Sequence, residues 1–469
     1  MARRKQIIPN VDVIDMADKG HAVGRTPEGE IVILLGGTVP GDVVEMRVHR
    51  KKKGLKHGYV QAITQYSKDR VEAKCQHFGT CGGCKWQHLD YKVQSELKER
   101  TVRQVIRRIA KDEEEKVEPI RSGDRTYLYR NKLEYSFSTK RWLSAEEIQS
   151  EEHIEQRRGF GFHIAGAFDK ILEIEKCHLQ DDFSNTIRNT LRDLATEHDW
   201  SYFDIRRHVG LLRNIVVRNS TLGEWMITFV FGERIPKKME EVLSVMQARF
   251  PEVTSWSYIL NTKPNSSLSD LPATHVAGAT HITEVLGGIK YRISPKSFFQ
   301  TNSYQAKVLY DVTLSYAEIG ADDIVYDLYS GTGSIALYLA KSCKSVVGIE
   351  VIEDAIEDAK INAQINEIDN ATFLVGDCKD VLDPSFADIY GSPDVLITDP
   401  PRAGMHQEVV ETLLILAPPK IVYISCNPST QARDILLLKE KYELIKVTPV
   451  DMFPHTSHIE SVALLKLKK

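Results

Sequence analysis

The fold is decided by the stretch Ile324-Val325-Tyr326-Asp327-Leu328-Tyr329-Ser330-Gly331-Thr332-Gly333-Ser334. Its first residues are apolar and β-prone, its glycines allow a tight turn close to a ligand, and a helical pattern follows at residues 335–340. The next β-prone run, residues 345–349, ends in Glu350, about 20 residues after the first glycine, a spacing that suits an acid binding ribose hydroxyls. The stretch therefore predicts a strand, a turn and a helix of a doubly wound α/β sheet.

The glycine turn fits two cofactors. The spacing Gly331-x-Gly333-x-x-Ala336 also matches the fingerprint of dinucleotide-binding folds, and a match of this kind is weak by itself. Two features favour S-adenosylmethionine over NAD. Asp327 lies four residues before the first glycine, and Asp399-Pro400-Pro401 closes a later predicted strand at residues 394–398.

The residue after these prolines bears on the atom that is modified. Enzymes that methylate amino groups carry a similar Asn/Asp-Pro-Pro followed by an aromatic residue that stacks on the base, whereas this chain has Arg402. The difference argues against an exocyclic nitrogen as the methyl acceptor. Carbon 5 of a pyrimidine is the alternative acceptor, and it is barely nucleophilic until a group such as a thiolate adds to C6.

A cysteine stands where such a thiolate is needed. Cys426 follows the apolar run 421–424, a predicted buried strand, and ligands of open α/β sheets bind at the carboxyl ends of the strands. Glu460 precedes a closing strand at residues 461–465 and is a candidate general base for removing the C5 proton. The competing interpretation is that Cys426 is a small buried hydrophobic residue and Glu460 a solvated charge.

Five motifs, in order along the chain, resemble those of the RNA uracil-C5 methyltransferase family. They are Phe298-Phe299-Gln300-Thr301-Asn302, Asp327-Leu328-Tyr329-Ser330-Gly331-Thr332-Gly333, Asp399-Pro400-Pro401-Arg402-Ala403-Gly404, Ser425-Cys426-Asn427-Pro428 and His455-Thr456-Ser457-His458-Ile459-Glu460. The resemblance covers the catalytic half of the chain. It implies that Cys426 is the nucleophile, that Glu460 is the base, and that S-adenosylmethionine is contacted by Gln300, Tyr329, Glu350 and Asp399. Gly331, Gly333 and Asp377 are added to the predicted cofactor site, and Asp399 and Arg402 are expected to orient the edge of the uracil.

The amino-terminal part is basic. Residues 1–60 hold eleven Lys and Arg against seven Asp and Glu, a net charge of +4, while the whole chain carries −4. Such asymmetry indicates a nucleic-acid-binding module joined to a less basic enzyme, although a charge run is usually just a solvated face. Several short β-like runs separated by Gly and Pro turns predict a small β-barrel over residues 1–65. This region resembles the TRAM domain, an OB-like barrel that precedes many members of the family.

Four cysteines predict a metal site. Cys75, Cys81 and Cys84 fall within ten residues with glycines between them, and Cys177 is a fourth candidate. Four thiolates suit either zinc or an iron–sulfur cluster, and the spacing alone does not distinguish between the two. The surrounding sequence is similar to the [4Fe–4S] site of one branch of the family, which makes the cluster the expected cofactor and zinc the lesser alternative.

A chain of 469 residues is too long for one core. We predict a barrel at 1–65, a central α+β domain with the cysteine site at 66–275, and a Rossmann-like class I methyltransferase domain at 276–469. The amino terminus lacks an apolar stretch behind its charges and no apolar run approaches membrane-spanning length, which predicts neither signal peptide nor membrane anchor. Free thiols and an oxygen-sensitive cluster predict a cytoplasmic location, and nothing indicates an obligate protein partner.

The predicted function is S-adenosylmethionine-dependent methylation of uridine C5 in RNA. Members of the family that carry the cluster most often act on large-subunit ribosomal RNA, so 23S rRNA is the first expected substrate and tRNA the second. Two hypotheses from other classes are an NAD-dependent iron–sulfur oxidoreductase and a non-catalytic RNA-binding assembly factor. The glycine turn alone supports the former, and the joint presence of Cys426 and Glu460 weighs against the latter.

Overall fold

The chain forms a closed barrel, two seven-stranded sheets and a two-stranded hairpin within the residues that the computed structural model describes. These residues are 6–17, 20–150, 157–164, 166–383 and 385–469. No helix in these ranges combines the length and the apolar character that crossing a bilayer requires.

The amino-terminal barrel is closed in the order β1-β2-β3-β5-β4. Its strands are β1 (Ile7–Met16), β2 (Ala22–Arg25), β3 (Ile31–Leu35), β4 (Val43–Lys52) and β5 (Leu55–Gln65). Alternate residues point inward, so apolar side chains such as Val11, Val32 and Val44 are fully buried. The basic run lies at the tip of the β4–β5 hairpin, where residues 49–53 are exposed. The predicted barrel is confirmed, and its charge is presented to solvent.

A helix, α1 (Tyr91–Val105), follows the cysteine segment and continues as a π-helical turn over Ile106–Ala110. Asp90 caps it by accepting a hydrogen bond from the Lys92 N–H at 2.9 Å. Its buried face contributes to two cores. Val102 and the following Ile106 belong to the core beneath the carboxyl-terminal sheet, whereas Leu97 packs with Trp86 and Leu89.

The central sheet has the order β12-β11-β10-β9-β6-β7-β8. Its elements, in chain order, are β6 (Lys132–Ser138), α2 (Ala145–Gln149), β7 (Gly159–Ile164), β8 (Ala167–Glu173), α3 (Asp182–Glu197), β9 (Leu212–Asn219), β10 (Trp225–Phe231), α4 (Pro236–Arg249), β11 (Ser255–Leu260) and β12 (Ala273–Gly278). All neighbouring strands pair antiparallel except β10 with β11. The core around Trp200 and Ile215 lies between this sheet and its helices.

A hairpin and one helix connect the two large sheets. The elements are β13 (Ile282–Leu286), β14 (Ile289–Ile293) and α5 (Ser303–Ala317). Asn302 caps α5 by accepting a hydrogen bond from the Gln305 N–H at 3.2 Å. The motif of residues 298–302 therefore ends where α5 begins.

The carboxyl-terminal sheet has the order β17-β16-β15-β18-β19-β21-β20. Its elements are β15 (Ile324–Leu328), α6 (Ser334–Ala340), β16 (Ser345–Glu350), α7 (Glu353–Ile365), β17 (Ala371–Val375), α8 (Cys378–Val381), α9 (Phe386–Tyr390), β18 (Val395–Thr398), α10 (Gln407–Leu416), β19 (Lys420–Ser425), α11 (Pro428–Leu438), β20 (Tyr442–Val450) and β21 (Glu460–Leu467). Strands β15 to β19 pair parallel, and β21 runs antiparallel to its neighbours. The doubly wound α/β fold is confirmed, and the carboxyl ends of its parallel strands share one edge.

Candidate active site

The glycine turn after β15 has the backbone of a ligand-binding loop. Tyr329, Gly331 and Gly333 have φ of 63°, 56° and 72°, a left-handed conformation that favours glycine. A side chain built on Gly331 would have no neighbouring atom within 4 Å, so open space lies beside this backbone. The Glu350 carboxylate accepts hydrogen bonds from the N–H groups of Gly331 and Ile352, both at 3.0 Å. Glu350 is thus held at the turn, and its binding to ribose hydroxyls stays a prediction.

Three buried polar atoms beside this turn lack a hydrogen-bond partner among the described residues: Asp327 Oδ1, Ser330 Oγ and Thr398 Oγ1. Asp327 uses its other oxygen to accept a hydrogen bond from the Ala336 N–H at 3.1 Å. Burial, followed by the charge of Asp399, raises the pKa of Asp327. Buried polar atoms are normally paired, so a ligand bearing hydroxyl and amino groups fits this edge of the sheet. S-adenosylmethionine has both.

The other predicted cofactor residues differ in their surroundings. Gln300 accepts a hydrogen bond at its backbone oxygen from Asn131 Nδ2 at 2.9 Å, which fixes the backbone in the middle of its motif. Asp377 caps α8 by accepting from the Lys379 N–H at 3.1 Å. Asp399 follows β18, and burial of its carboxyl group raises its pKa to about 7. The roles of these residues remain predictions.

Cys426 lies half-buried just past the end of β19, beside the loop that carries Arg402. Asn427 joins the two segments, because its side chain caps α11 and also donates to the Arg402 carbonyl at 3.0 Å. Thr430 Oγ1 donates to the same carbonyl at 3.2 Å. The Arg402 guanidinium contacts His458 Nδ1 at 2.8 Å. The local fold therefore holds the cysteine, the arginine and the carboxyl-terminal motif together.

The charges of these groups act on one another. Burial raises the pKa of the Cys426 thiol, the carboxylates of Glu460 and Asp399 raise it further, and a hydrogen bond from Arg402 lowers it. Burial and the charge of Asp399 raise the pKa of Glu460 well above its usual value, against the lowering effect of Arg402. The four predicted catalytic residues are thus neighbours, and Arg402 is the member that favours the thiolate.

A cavity of about 1180 Å³ joins this site to the cysteine segment. Its lining includes Cys75, Cys81, Cys84 and Cys177 as well as Cys426 and Arg402. Burial first and neighbouring thiols next raise the pKa of Cys84 to about 12, and burial is likewise the main cause that raises the pKa of Cys177 to about 11. The four thiols are therefore neighbours. No group of three or more His, Cys, Asp or Glu side chains in the described residues is placed to hold a metal ion.

The cysteine segment also holds the loop that leads into Glu460. The His455 carbonyl accepts hydrogen bonds from the N–H groups of Lys85 and Trp86, at 2.8 and 3.0 Å. Gln94, which is fully buried on α1, accepts from the His455 N–H at 2.9 Å and donates to the carbonyls of Trp86 and Leu89. Gln94 therefore ties the cysteine segment to the catalytic loop.

A buried ion pair strengthens this connection. Lys98 Nζ lies 2.7 Å from an Asp451 carboxylate oxygen, and both side chains are buried. Lys98 also donates to the Phe453 carbonyl at 3.0 Å, and the Tyr91 hydroxyl donates to Asp451 at 3.0 Å. Lys98 and Asp451 are 353 positions apart. The sequence pattern gives no sign of such a pairing, so sequence reasoning missed these residues.

Comparison with known proteins agrees with this geometry. The family model described as tRNA (Uracil-5-)-methyltransferase matches residues 278–380 and 387–468. An uncharacterized RNA methyltransferase of Bacteroides thetaiotaomicron is 46% identical over 97% of this chain and 100% of its own length. One from Porphyromonas gingivalis is 42% identical over 97% of this chain and 99% of its own length.

A solved structure covers nearly the whole chain as well. It is the Pyrococcus abyssi tRNA (uracil-54, C5)-methyltransferase in complex with S-adenosyl-L-homocysteine, with a TM-score of 0.73 and 29% identity. The match covers 97% of this chain and 100% of that one. These likenesses favour S-adenosylmethionine over NAD as the ligand of the glycine turn. The chain belongs to the S-adenosylmethionine-dependent RNA (uracil-5-)-methyltransferase family.

Proposed function

We propose that this enzyme methylates C5 of a specific uridine in RNA, with Cys426 as the nucleophile and Glu460 as the base. The observation that carries the proposal is that Arg402 hydrogen-bonds Cys426 at the sheet edge beside the glycine turn, where the charge of Glu460 acts on the same thiol. A thiol, a cation that favours its ionised form and a buried carboxyl group are the parts that a covalent carbon methylation needs.

The reaction follows from these parts. The Cys426 thiolate adds to C6 of the uracil, and the electron pair of the C5–C6 double bond moves toward C5 and the C4 oxygen. Bound S-adenosylmethionine would supply an electrophilic methyl group; C5 takes it up as the bond between methyl and sulfur breaks, and S-adenosylhomocysteine is left. Glu460 then removes the proton from C5, the double bond re-forms, and the thiolate leaves C6. Because a base in structured RNA is stacked, the uridine has to leave its stack to reach Cys426.

Arg402 and Asp399 have supporting roles in this proposal. Arg402 donates a hydrogen bond toward the Cys426 sulfur and so lowers the cost of forming the thiolate. Asp399, whose pKa burial raises to about 7, is able to donate or accept a hydrogen bond at the uracil edge near neutral pH. The two side chains flank the place where cofactor and base meet.

Two classes of RNA, 23S rRNA and tRNA, are candidate substrates. The similarity of the cysteine motif to the cluster-bearing branch favours 23S rRNA, whereas the Pyrococcus abyssi structure is that of a tRNA methyltransferase. The TRAM-like barrel, with its exposed basic hairpin, suits the phosphate backbone of either RNA. The deciding experiment is to map 5-methyluridine in rRNA and tRNA from cells with and without the gene. Identical maps would contradict the proposed function.

We further propose that the four cysteines bind a [4Fe–4S] cluster. One zinc ion would bring its thiolates within about 3.8 Å of one another, because Zn–S bonds are about 2.3 Å in a tetrahedral site. The four thiols line one cavity and influence each other's pKa, although no group of three or more among the described residues could hold a metal ion as the side chains stand. A cluster binds each thiolate to a different iron and tolerates wider spacing. Such a cofactor suits a reducing cytoplasm.

Protein purified without oxygen is expected to be brown and to contain about four irons per chain, as a [4Fe–4S] cluster requires. The Cys81→Ser variant should lose the colour and the iron, because it removes one of four thiolate ligands. Iron, sulfide and zinc analyses check this. Cys343→Ser is the matched control, since Cys343 is a buried thiol in the turn between α6 and β16. One equivalent of zinc in the anaerobic protein would favour the alternative metal.

Removing the Gln94 amide should slow the step that uses Glu460. Gln94→Ala leaves the His455 N–H and the Leu89 carbonyl without this partner and removes one of two hydrogen bonds to the Trp86 carbonyl. Each buried group left unpaired costs about 1–3 kcal/mol. The loop before Glu460 then loses its fixed position. We expect a lower turnover rate with an unchanged KM for S-adenosylmethionine, and accumulation of covalent enzyme–RNA complex.

Gln61→Ala, on an exposed part of the barrel, is the control for the loss of an amide. Both variants are compared with wild type by thermal unfolding and by the fraction of enzyme trapped on RNA during turnover. A Gln94→Ala protein that is less stable but turns over at the normal rate would mean that the loop is held without this side chain.

A further inference from the structure

Two cations lie side by side on adjacent strands of the central sheet. Lys132 on β6 and Arg218 on β9 are directly opposite partners in the antiparallel ladder, so their side chains leave the sheet on the same face. Like charges in this arrangement destabilise a sheet. Arg218 is buried, with a relative exposure of 5%. The pairing therefore carries an energetic cost that folding alone does not explain.

Across the described part of the chain, no carboxylate forms an ion pair with either cation, Lys132 or Arg218. Arg218 donates to the Ser297 carbonyl at 2.6 Å, while its buried Nε has no partner. Burial, and then the charge of Arg218, lower the pKa of Lys132 to about 8, although Glu134 acts in the opposite direction. The protonated form of Lys132 is therefore disfavoured by its surroundings.

A third cation, Arg130, lies near Lys132 and also near His458, the partner of Arg402. Its guanidinium lies 5.3 Å from the centre of the Phe453 ring, and its charge contributes to lowering the pKa of His458. Arg130 and Lys132 both line the cavity that contains Cys426. Arg130 and Lys132 therefore face the cavity in which the substrate is proposed to bind.

The backbone between these cations is fixed to the cofactor motif. Asn131 donates from its backbone N–H to the Thr301 carbonyl at 3.0 Å and from its side chain to Ser303 Oγ at 2.8 Å. The position of Arg130 and Lys132 relative to residues 300–303 is thus set before any substrate binds. A preorganised set of cations binds an anion without the entropic cost of ordering flexible side chains.

We propose that Arg130 and Lys132, with Arg218 behind them, bind a phosphate group of the RNA backbone next to the nucleotide held at Cys426. The inference rests on the proposed function, because it takes RNA as the ligand of the cavity. A phosphate would neutralise the opposed cations, and it would accept charge-assisted hydrogen bonds from Lys132 and Arg130. The site fixes the strand beside the target uridine, so that the base can turn toward Cys426.

The test replaces Lys132 by methionine in the full-length protein, with Lys237→Met on the exposed face of α4 as the matched control. The ligand is a short synthetic RNA that spans the mapped uridine. We expect Lys132→Met to bind it about tenfold more weakly, and the log–log salt dependence to become shallower by about 0.7–0.9. Its thermal unfolding temperature should not fall, because a like-charge pair has been relieved. Lys237→Met should match wild type.

A second arm locates the phosphate. One neutral methylphosphonate linkage is moved through the positions that flank the uridine. At one position wild type should lose about tenfold in affinity, while Lys132→Met loses nothing further, since the partner is already missing. Unchanged RNA affinity of Lys132→Met, or equal losses for both proteins at every position, would overturn the inference.

Two further outcomes are informative. A loss of S-adenosylmethionine affinity without a loss of RNA affinity would assign the cations to the cofactor carboxylate and overturn the inference. If wild type binds the RNA but leaves its uridines unmethylated, the proposed function fails. The phosphate assignment is still decided in that case, because it is measured by binding alone.

Discussion

Replacing Cys426 with alanine should reduce RNA methylation by at least about 10⁴-fold, the scale on which enzymes lose activity when their nucleophile is removed. The physical reason is that C5 of uracil does not take up a methyl group until a thiolate has added to C6. Cys426 is half-buried, so the substitution leaves only a small cavity. The variant should therefore fold, bind S-adenosylmethionine and bind RNA like wild type.

The measurement uses RNA in which the target uridine is replaced by 5-fluorouridine. Wild type should form a complex that survives denaturing electrophoresis, because fluorine cannot leave C5 as a proton does. Cys426→Ala should form none, while Cys343→Ala, which removes a buried thiol elsewhere, should form it normally. Normal turnover by Cys426→Ala would end the proposal that this cysteine is the nucleophile.

The carboxyl-terminal fold was predictable because its signals are local. The parallel strands are short apolar runs, and a predicted site residue lies at or just after the end of four of them: Tyr329, Glu350, Asp399 and Cys426. Since the carboxyl ends of parallel strands share an edge, strand order along the chain was enough to bring these residues together. The contact of Arg402 with Cys426 follows from the same rule.

The contacts that hold the catalytic loop were not predictable in this way. Gln94 and His455 are 361 positions apart, and α1 shows only an ordinary amphipathic pattern. Such a pattern tells that a helix buries one face, but it does not tell which sheet receives that face. Helix α1 was placed in the central segment by its position, yet its Val102 packs under the carboxyl-terminal sheet. The division of the chain at residues 65 and 275 stays a prediction.

The opposed cations were missed for a related reason. Lys132 and Arg218 each look like a solvated charge in a β-prone run, because pairing register is set by the whole sheet and not by either strand alone. Only the register shows that they face each other. Polar residues that violate local expectations in this way tend to be found at functional sites, where binding a ligand compensates for their cost.

Glu460→Gln should stop the reaction after the methyl group has been transferred. Glutamine keeps the size of the side chain but cannot accept the C5 proton, so turnover should fall by about 10²–10⁴-fold, the usual contribution of a general base. Removing the carboxylate also removes a charge that raises the pKa of Cys426, so addition to C6 should not be slowed. The covalent, methylated enzyme–RNA complex should therefore accumulate.

The experiment follows radioactive methyl from S-adenosylmethionine into a complex that resists denaturation. Glu460→Gln should hold the label on the protein–RNA adduct, whereas wild type and the control Glu411→Gln, an exposed residue of α10, should release it as methylated RNA. Deuterium at C5 of the uridine should slow the residual turnover of Glu460→Gln, because breaking that bond is then rate-limiting. An adduct without the methyl label would place Glu460 before methyl transfer, where a proton acceptor for the Cys426 thiol is the remaining role for a buried carboxylate beside it.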